Sequence, residues 1–220
     1  MRPYHHARAS AARSGNDWRE DLKIHEFIDS SKTAFPDLRH RMILHSIDLG
    51  GELAARAFPD RSDARELVKN HIIEDLGQVR TIDDWLSHCR TQQLPRPHPG
   101  SLPVNEEVLL EAERQRQALA DHQGPRAVLE ILQLPLVLAP KHGDYAWSVL
   151  CNSFGPCVVR QVLGPPRELP GANGTAVIFD PAWCAEAMIF AIFRTIPELR
   201  SVVMALRTSH QQAADDPQKS

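Results

Sequence analysis

The prolines between residues 95 and 103 constrain the fold of this chain more than any other local feature. Four of these nine residues are proline, which lacks a backbone donor and forces the residue before it into an extended conformation. Neither a helix nor a central strand can continue through such a segment. The chain has 220 residues, enough for two small domains. We therefore predict a domain over residues 1–92, a linker over 93–104 and a second module over 105–220, with a polar, frayed tail from about 208.

The first domain has the sequence pattern of a helical protein. Between residues 18 and 90 apolar side chains recur every three or four positions, as on one face of a helix. Pro36 suits the first turn of a helix, Gly77 suits a helix end, and Thr81 with Asp84 resembles a capping box. We predict helices over 18–33, 36–58 and 62–76, and a short helix after residue 81.

The second module has the pattern of an α+β protein. Apolar or β-branched runs at 127–138, 147–150, 157–163 and 175–179 are separated by Gly, Pro and Asn, which is typical of strands joined by turns. Asp180 and Pro181 then predict the start of a helix that continues to about Arg207. The predicted fold class is α+β: a helical domain followed by a small mixed sheet covered by a long C-terminal helix. No internal repeat is apparent in the sequence.

The bulk composition excludes several classes of protein. A formal net charge of −3 argues against a nucleic-acid binder, which normally carries a clear basic excess. The four cysteines are too few and too scattered for a disulfide framework. The most apolar run, residues 184–206, contains charged side chains that a membrane core would disfavour. We expect a soluble, cytoplasmic protein with no membrane contact.

Histidines concentrate in the first domain, which holds seven of the eleven in the chain. His25 precedes Asp29 by four residues and His71 precedes Asp75 by four, so each pair shares one helix face. With His45 they form a candidate site for a divalent metal ion (zinc, iron or manganese). Facing helices of a bundle present metal ligands in this way.

Two other interpretations of these residues stay open. Buried histidines often hydrogen-bond to local carboxylates for structural reasons alone, and a metal-free acid–base or anion site would also use them. His40 and His45 are predicted not to share an ion, because five residues correspond to about 140° of helix rotation.

A second group of polar residues could bind an anion. Lys32, Arg39, His40 and Arg41 could together hold a phosphate or carboxylate. The alternative is a solvated helix face, since surface Arg and Lys are common. No hydrolase, nucleotide-binding or zinc-protease motif occurs, so no catalytic residue is assigned.

Residues 1–90 resemble a family of small uncharacterised proteins of bacteria and phages. The resemblance rests on an Ile-His-x-Phe-Ile-Asp block that begins at Ile24, an Asp-x-Arg-His-Arg block that begins at Asp37 and a His-x-x-Glu-Asp-Leu-Gly block that begins at His71. It implies that residues 1–16 belong to the domain and that the residues named above, with Asp37 and Glu74, occupy motif positions. It implies no activity, and it ends near Arg90.

Two hypotheses for function follow. The first is a binding or accessory protein, related to phages or mobile elements, with a structural His/Asp cluster. In that case the C-terminal module would contact a protein partner or a second copy of the chain through its apolar surface. The alternative is a metal-dependent, hydrolase-like enzyme that uses the His/Asp site of the helical domain.

Overall fold

A computed structural model describes residues 2–36, 40–87, 89, 94–97, 123–171 and 174–205. The chain divides into two compact units. Unit 1 comprises residues 1–93 with 203–220, and unit 2 comprises residues 94–202. Of the predicted linker only 94–97 are described, and the predicted tail from 208 lies outside the described residues.

Unit 1 is helical throughout its described residues, and its helices begin and end where the local sequence favours it. Asp17 caps α2 by accepting from the backbone N–H of Arg19, and Gly77 ends α5 in the left-handed conformation (φ +70°). The predicted capping box is confirmed, because Thr81 and Asp84 each bond to the other's backbone N–H. The helices are α1 (Pro3–Ser14), α2 (Trp18–Ile28), α3 (Arg41–Leu44), α4 (Leu49–Ala57), α5 (Ala64–Leu76) and α6 (Ile82–Ser87), with a 3₁₀ turn at Ser30–Thr33.

The predicted continuous helix over 36–58 is wrong. The chain leaves α3 at His45, turns, and enters α4 with Asp48 as the N-cap. Gly50 permits this turn, because a Cβ atom there would overlap the carbonyl oxygen of Leu44. At Gly50 the backbone therefore approaches the backbone of Leu44 closely, at a sharp turn.

The core of unit 1 lies where α2, α4 and α5 pack against one another. Its apolar side chains are fully buried, among them Ile24, Ile28, Leu53 and Ile72. Helix α1 packs on α2 and α5. This arrangement brings the end of α2, the turn after α3 and the middle of α5 to one place.

Unit 2 is also mainly helical in its described part, with one small sheet. The predicted α+β class is confirmed, and Asp180 caps its helix as predicted, by accepting from the N–H groups of Ala182 and Trp183. The elements are α7 (Gln123–Leu138), a 3₁₀ segment at Pro140–Val149, α8 (Gly155–Leu163), β1 (Arg167–Pro170), β2 (Ala176–Phe179), α9 (Pro181–Phe193) and the first four residues of α10 (Leu199–Ala205), whose last three residues belong to unit 1.

Three of the four predicted strands are wrong. The runs at 127–138, 147–150 and 157–163 lie in α7, the 3₁₀ segment and α8. Most of the side chains in these runs are buried, so their helical periodicity is hidden behind nearly continuous apolar sequence. Only the run at 175–179 forms a strand, β2, and it pairs antiparallel with β1, which the sequence analysis does not predict.

The predicted long C-terminal helix is interrupted. Helix α9 ends at Phe193, because Arg194 adopts the left-handed conformation (φ +58°), and Pro197 precedes α10. None of the helices in the described part of the chain has both the length and the apolar character needed to cross a bilayer.

Candidate metal centre

Three segments of unit 1 deliver polar side chains to one buried point. Asp29 follows directly after α2, His45 ends α3 in the turn before α4, and α5 contributes His71 and Asp75 from one face. All four side chains are at most 3% exposed. The sequence spacing therefore produces the predicted juxtaposition of both carboxylates with two of the predicted histidines.

One atom from each of these four side chains lies within 4.8 Å of the others. His45 Nε2 is 3.1 Å from His71 Nε2 and 3.5 Å from both Asp29 Oδ1 and Asp75 Oδ2. His71 Nε2 is 3.7 Å from Asp29 Oδ1 and 3.8 Å from Asp75 Oδ2. Two nitrogens and two carboxylate oxygens thus converge on a common centre. We call these four residues the His/Asp cluster.

The electrostatics of the cluster favour charged carboxylates and neutral imidazoles. Burial raises the pKa of Asp75, but hydrogen bonds from His45 and His6 outweigh it and hold that pKa below its usual range. Burial also raises the pKa of Asp29, but the nearby histidines His40 and His71 and the ion pair with Lys32 outweigh it and hold that pKa below its usual range. Burial lowers the pKa of His45 to about 3, so its ring is neutral at neutral pH and its lone pair is available.

His25 lies one hydrogen bond behind the cluster. Its Nδ1 is 2.9 Å from His71 Nδ1, and its Nε2 is 3.1 Å from the hydroxyl of Ser10. If His71 binds an ion through Nε2, its Nδ1–H donates to His25 Nδ1, and His25 then donates from Nε2 to Ser10. This arrangement fixes the orientation and tautomer of a metal-bound histidine, as outer partners of metal ligands do. The structure thus places His25, predicted as a ligand, in a supporting position.

His6 lies on the other side of Asp75. Its Nε2 is 3.2 Å from Asp75 Oδ1 and its Nδ1 is 2.5 Å from Glu74 Oε2. The imidazole also stacks on His71, with ring centroids 4.1 Å apart. Arg13 binds the other oxygen of Glu74 at 2.7 Å. His6 therefore connects a buried carboxylate of the cluster to a carboxylate nearer the surface.

The predicted anion-binding residues that the structure describes also lie at the cluster. Lys32 Nζ is 2.5 Å from Asp29 Oδ2, and Arg41 is 2.8 Å from Asp75 Oδ2. His40 Nε2 lies 3.5 Å from Asp29 Oδ1. Arg39 lies outside the described residues. His40 and His45, which are predicted not to share an ion, lie at opposite ends of the four-residue helix α3 and both approach Asp29 Oδ1; the group of four converging side chains includes His45 and not His40.

The sequence analysis assigns no role to His6 or Ser10, and it gives Glu74 only as a motif position. No helical spacing relates His6 or Ser10 to α5, because α1 meets α5 only in the folded unit. Asp29 Oδ1 is a further feature that only the structure shows. It is buried, and no donor among the described residues meets it with hydrogen-bond geometry.

Residues 1–94 match the family model described as a domain of unknown function (DUF6915). The match covers less than half of the 220-residue chain and includes the whole His/Asp cluster. It agrees with the predicted resemblance to an uncharacterised domain family. No curated protein and no solved structure matches the chain. The comparisons therefore attach no activity to the cluster, and its function has to be argued from its chemistry.

Proposed function

We propose that unit 1 binds one divalent metal ion through the His/Asp cluster and uses it in hydrolase-type chemistry. The observation that carries the proposal is the convergence of two imidazole nitrogens and two carboxylate oxygens at one buried centre. Zinc and related ions take these donor types, usually four at once.

The distances between the donor atoms suit a tetrahedral ion. Ligand bonds of about 2.0–2.2 Å place neighbouring ligand atoms about 3.3–3.6 Å apart at tetrahedral angles. Five of the six donor separations range from 3.1 to 3.8 Å, and the sixth, between the two carboxylates, is within 4.8 Å. The five pairs that involve a histidine therefore already lie close to tetrahedral spacing. Asp29 Oδ1, which is buried without a hydrogen-bond donor, would gain a partner.

The charge around the cluster supports an anionic substrate. With a divalent ion bound and the imidazoles neutral, the ion and the side chains of Asp29, Asp75, Lys32 and Arg41 together carry a net charge of +2. A buried excess of positive charge favours a phosphate- or carboxylate-bearing ligand. Because the four side chains fill a tetrahedral shell, the metal would have to accept a fifth ligand to act as a Lewis acid and activate water, as catalytic zinc sites sometimes do. Lys32 is one-third exposed, so its side chain reaches solvent from which such a ligand could enter.

A second candidate is a protein-binding or accessory role with a structural cluster. It is supported by the direct ion pairs of Lys32 with Asp29 and of Arg41 with Asp75, which neutralise both carboxylates without an ion. A purely structural cluster would hold no metal. The two candidates therefore differ in one measurable quantity.

Metal content, measured by plasma mass spectrometry on untagged protein purified without chelators, tests the proposal. We expect one zinc, iron or manganese ion per chain, and its loss in His71→Ala. His5→Ala is the matched control, because His5 is an exposed histidine of the same unit. Metal-free wild-type protein that still unfolds cooperatively, and takes up no added zinc, would establish the structural alternative. Metal loss in the His5 variant would indicate surface binding only.

A further inference from the structure

We infer that unit 2 is a second copy of the helical arrangement of unit 1, in which apolar side chains occupy the metal-ligand positions. The chain would therefore hold one metal ion, in unit 1, beside a copy of the same fold that has lost the site. The first half of this inference concerns the fold alone. The statement about the metal rests on the proposed function.

The last two helices of each unit begin at the same offset along the sequence. Helices α5 and α9 each contain 13 residues, and both ends of α9 lie 117 residues after those of α5 (64 to 181 and 76 to 193). Helix α10 likewise begins 117 residues after α6 (82 to 199). Both long helices end in a left-handed residue, Gly77 in α5 and Arg194 in α9, again 117 apart. Arg194 is the only non-glycine residue with positive φ in the described part of the chain. Arginine disfavours this backbone conformation, so the place of Arg194 at the end of α9 determines it.

A long-range backbone hydrogen bond recurs in both units. Ile47 N–H donates to the carbonyl of Arg80 at 2.7 Å, and Ser153 N–H donates to the carbonyl of Pro197 at 2.8 Å. The acceptors are 117 residues apart, the same offset as the helices that flank them. The donors are 106 residues apart, and each lies three residues after a leucine: Leu44, the last residue of α3, and Leu150, which directly follows the 3₁₀ segment.

The start of the last helix is tied down in the same way. Asp48 Oδ1 accepts from the N–H of Ile82 at 2.9 Å, and the hydroxyl oxygen of Ser153 accepts from the N–H of Leu199 at 2.9 Å. In each unit a side chain from the turn after the short helical segment caps the helix that follows the long one. This contact joins segments more than thirty residues apart, so local sequence preference does not explain its recurrence.

A glycine takes the same close approach in both turns. A Cβ atom on Gly50 would overlap the carbonyl oxygen of Leu44, and one on Gly155 would overlap that of Leu150. Gly50 is the second residue of α4 and Gly155 is the first residue of α8, and each of these helices contains nine residues. The three main helices of each unit contact one another in the same combination. In unit 1 these are α2, α4 and α5, and in unit 2 they are α7, α8 and α9.

The buried faces of α2 and α7 also coincide. In α2 the buried positions are 21, 24, 25, 27 and 28, and the positions 107 residues later, 128, 131, 132, 134 and 135, are all buried in α7. Offsets of 107, 106 and 117 therefore align α2 with α7, α4 with α8 and α5 with α9, together with the backbone bond of the turn. The capping side chain and the glycine lie 105 residues apart (48 to 153 and 50 to 155), one residue short of the offset of the turn. The larger offset of the last segment corresponds to the β1–β2 hairpin, which lies between α8 and α9 and has no counterpart in unit 1.

These offsets identify what replaces the polar cluster. His71 and Asp75 correspond to Met188 and Ile192, which are fully buried. At the other ligand and supporting positions, those of His25, Asp29 and His45, the residues in unit 2 are in that order Leu132, Leu136 and Cys151. At each position an imidazole or carboxylate is exchanged for an apolar side chain or a thiol.

The exchange separates folding from function. Unit 2 shows that this helical framework closes around an apolar interior, so the framework does not require the buried polar residues of unit 1. Buried ionic groups are often no more stabilising than apolar residues of similar volume. Unit 1 therefore keeps the cluster for what it binds, and unit 2 is the metal-independent copy.

The test transplants the residues of unit 2 into unit 1 of the full chain. The variant combines His25→Leu, Asp29→Leu, His45→Cys, His71→Met and Asp75→Ile. Its matched control carries alanine at the same five positions. We expect the transplant to retain the helical circular dichroism of the wild type and to unfold in chelator at a clearly higher urea midpoint than the alanine control. A transplant that unfolds as early as the control, or that loses its helical signal, overturns the equivalence of the two units.

Hydrogen exchange on the wild-type chain, with zinc or with chelator, tests the statement about the metal. We expect one ion per chain and zinc-dependent protection in α2 and α5, with α7 and α9 unchanged. Two ions per chain, or protection in α7 and α9, would overturn the loss of the site in unit 2. Absence of any bound metal would refute the proposed function alone, because the transplant still decides whether the units are equivalent.

Discussion

Replacing Asp75 by asparagine separates the contribution of its charge from that of its volume. The Asp75 side chain is fully buried and contacts Arg41 at 2.8 Å and His6 at 3.2 Å. In chelator the variant loses charge-assisted hydrogen bonds, which contribute about 1.5–3 kcal/mol each. We expect a loss towards the lower end of that range, because Arg41 is 16% exposed and keeps a hydrogen bond to the Asp75 carbonyl oxygen.

Zinc should widen this difference. At a free concentration 100 times its dissociation constant, an ion stabilises the wild type by about 2.7 kcal/mol. If the loss of one ligand weakens binding about 100-fold, the same concentration stabilises the variant by only about 0.4 kcal/mol. Exchange of the α5 amides reports the opening free energy of unit 1 separately from unit 2. Glu66→Gln, which removes an exposed carboxylate from the same helix, should leave the zinc effect intact. An equal zinc effect in Asp75→Asn and wild type would show that Asp75 is not a ligand.

Two further predictions concern stability away from the metal. Gly50→Ala should lower the free energy of urea unfolding by about 1–3 kcal/mol, because the added Cβ would overlap the Leu44 carbonyl. The control Gly51→Ala should be neutral or stabilise by about 0.5 kcal/mol. Equal effects of the two substitutions would contradict the close approach at Gly50. Asp180→Ala should cost about 1 kcal/mol at neutral pH through loss of the α9 cap. Burial raises the pKa of Asp180, but hydrogen bonds from Arg160 and two backbone N–H groups outweigh it and hold that pKa below its ordinary 3.8. The stabilisation by the ionised carboxylate is therefore present above pH 3.8 and is lost as the pH falls through the folded-state value. The difference between this variant and the wild type should therefore shrink in acid, and a constant difference would refute it.

The sequence predicted several helix starts and ends in unit 1, because caps are local signals, but it missed α1 and the break between α3 and α4. The capping box at Thr81 and the end of α5 at Gly77 needed no tertiary information. The strand predictions for unit 2 failed for a physical reason. Val158 and Val159 are buried in α8 although β-branched residues favour strands, so tertiary burial overrides local preference there.

The candidate site was predictable only in part. Spacing paired His71 with Asp75, and both lie at the cluster. Spacing places His25 and Asp29 on one helix face but does not show which atom each side chain meets. Only the fold shows that His25 faces His71 Nδ1 and lies outside the four-residue cluster. The contribution of His6 depends on the packing of α1 against α5, which no local pattern encodes. The sequence did not reveal the proposed repeat for a similar reason. The two units share backbone hydrogen bonds and the positions of buried residues more than they share residue identities.

The comparison of the two units also predicts how their stabilities respond to metal. Two carboxylates buried beside histidines cost unit 1 desolvation energy that unit 2, with Met188 and Ile192 at the equivalent positions, does not incur. Only an ion that binds the folded cluster can repay that cost, by mass action. In chelator, amides of α5 should therefore exchange through lower-energy openings than those of α9, and zinc should reduce or reverse the difference. If α5 is the more protected helix even in chelator, the cluster stabilises unit 1 by itself, and the structural alternative gains the support that the metal proposal loses.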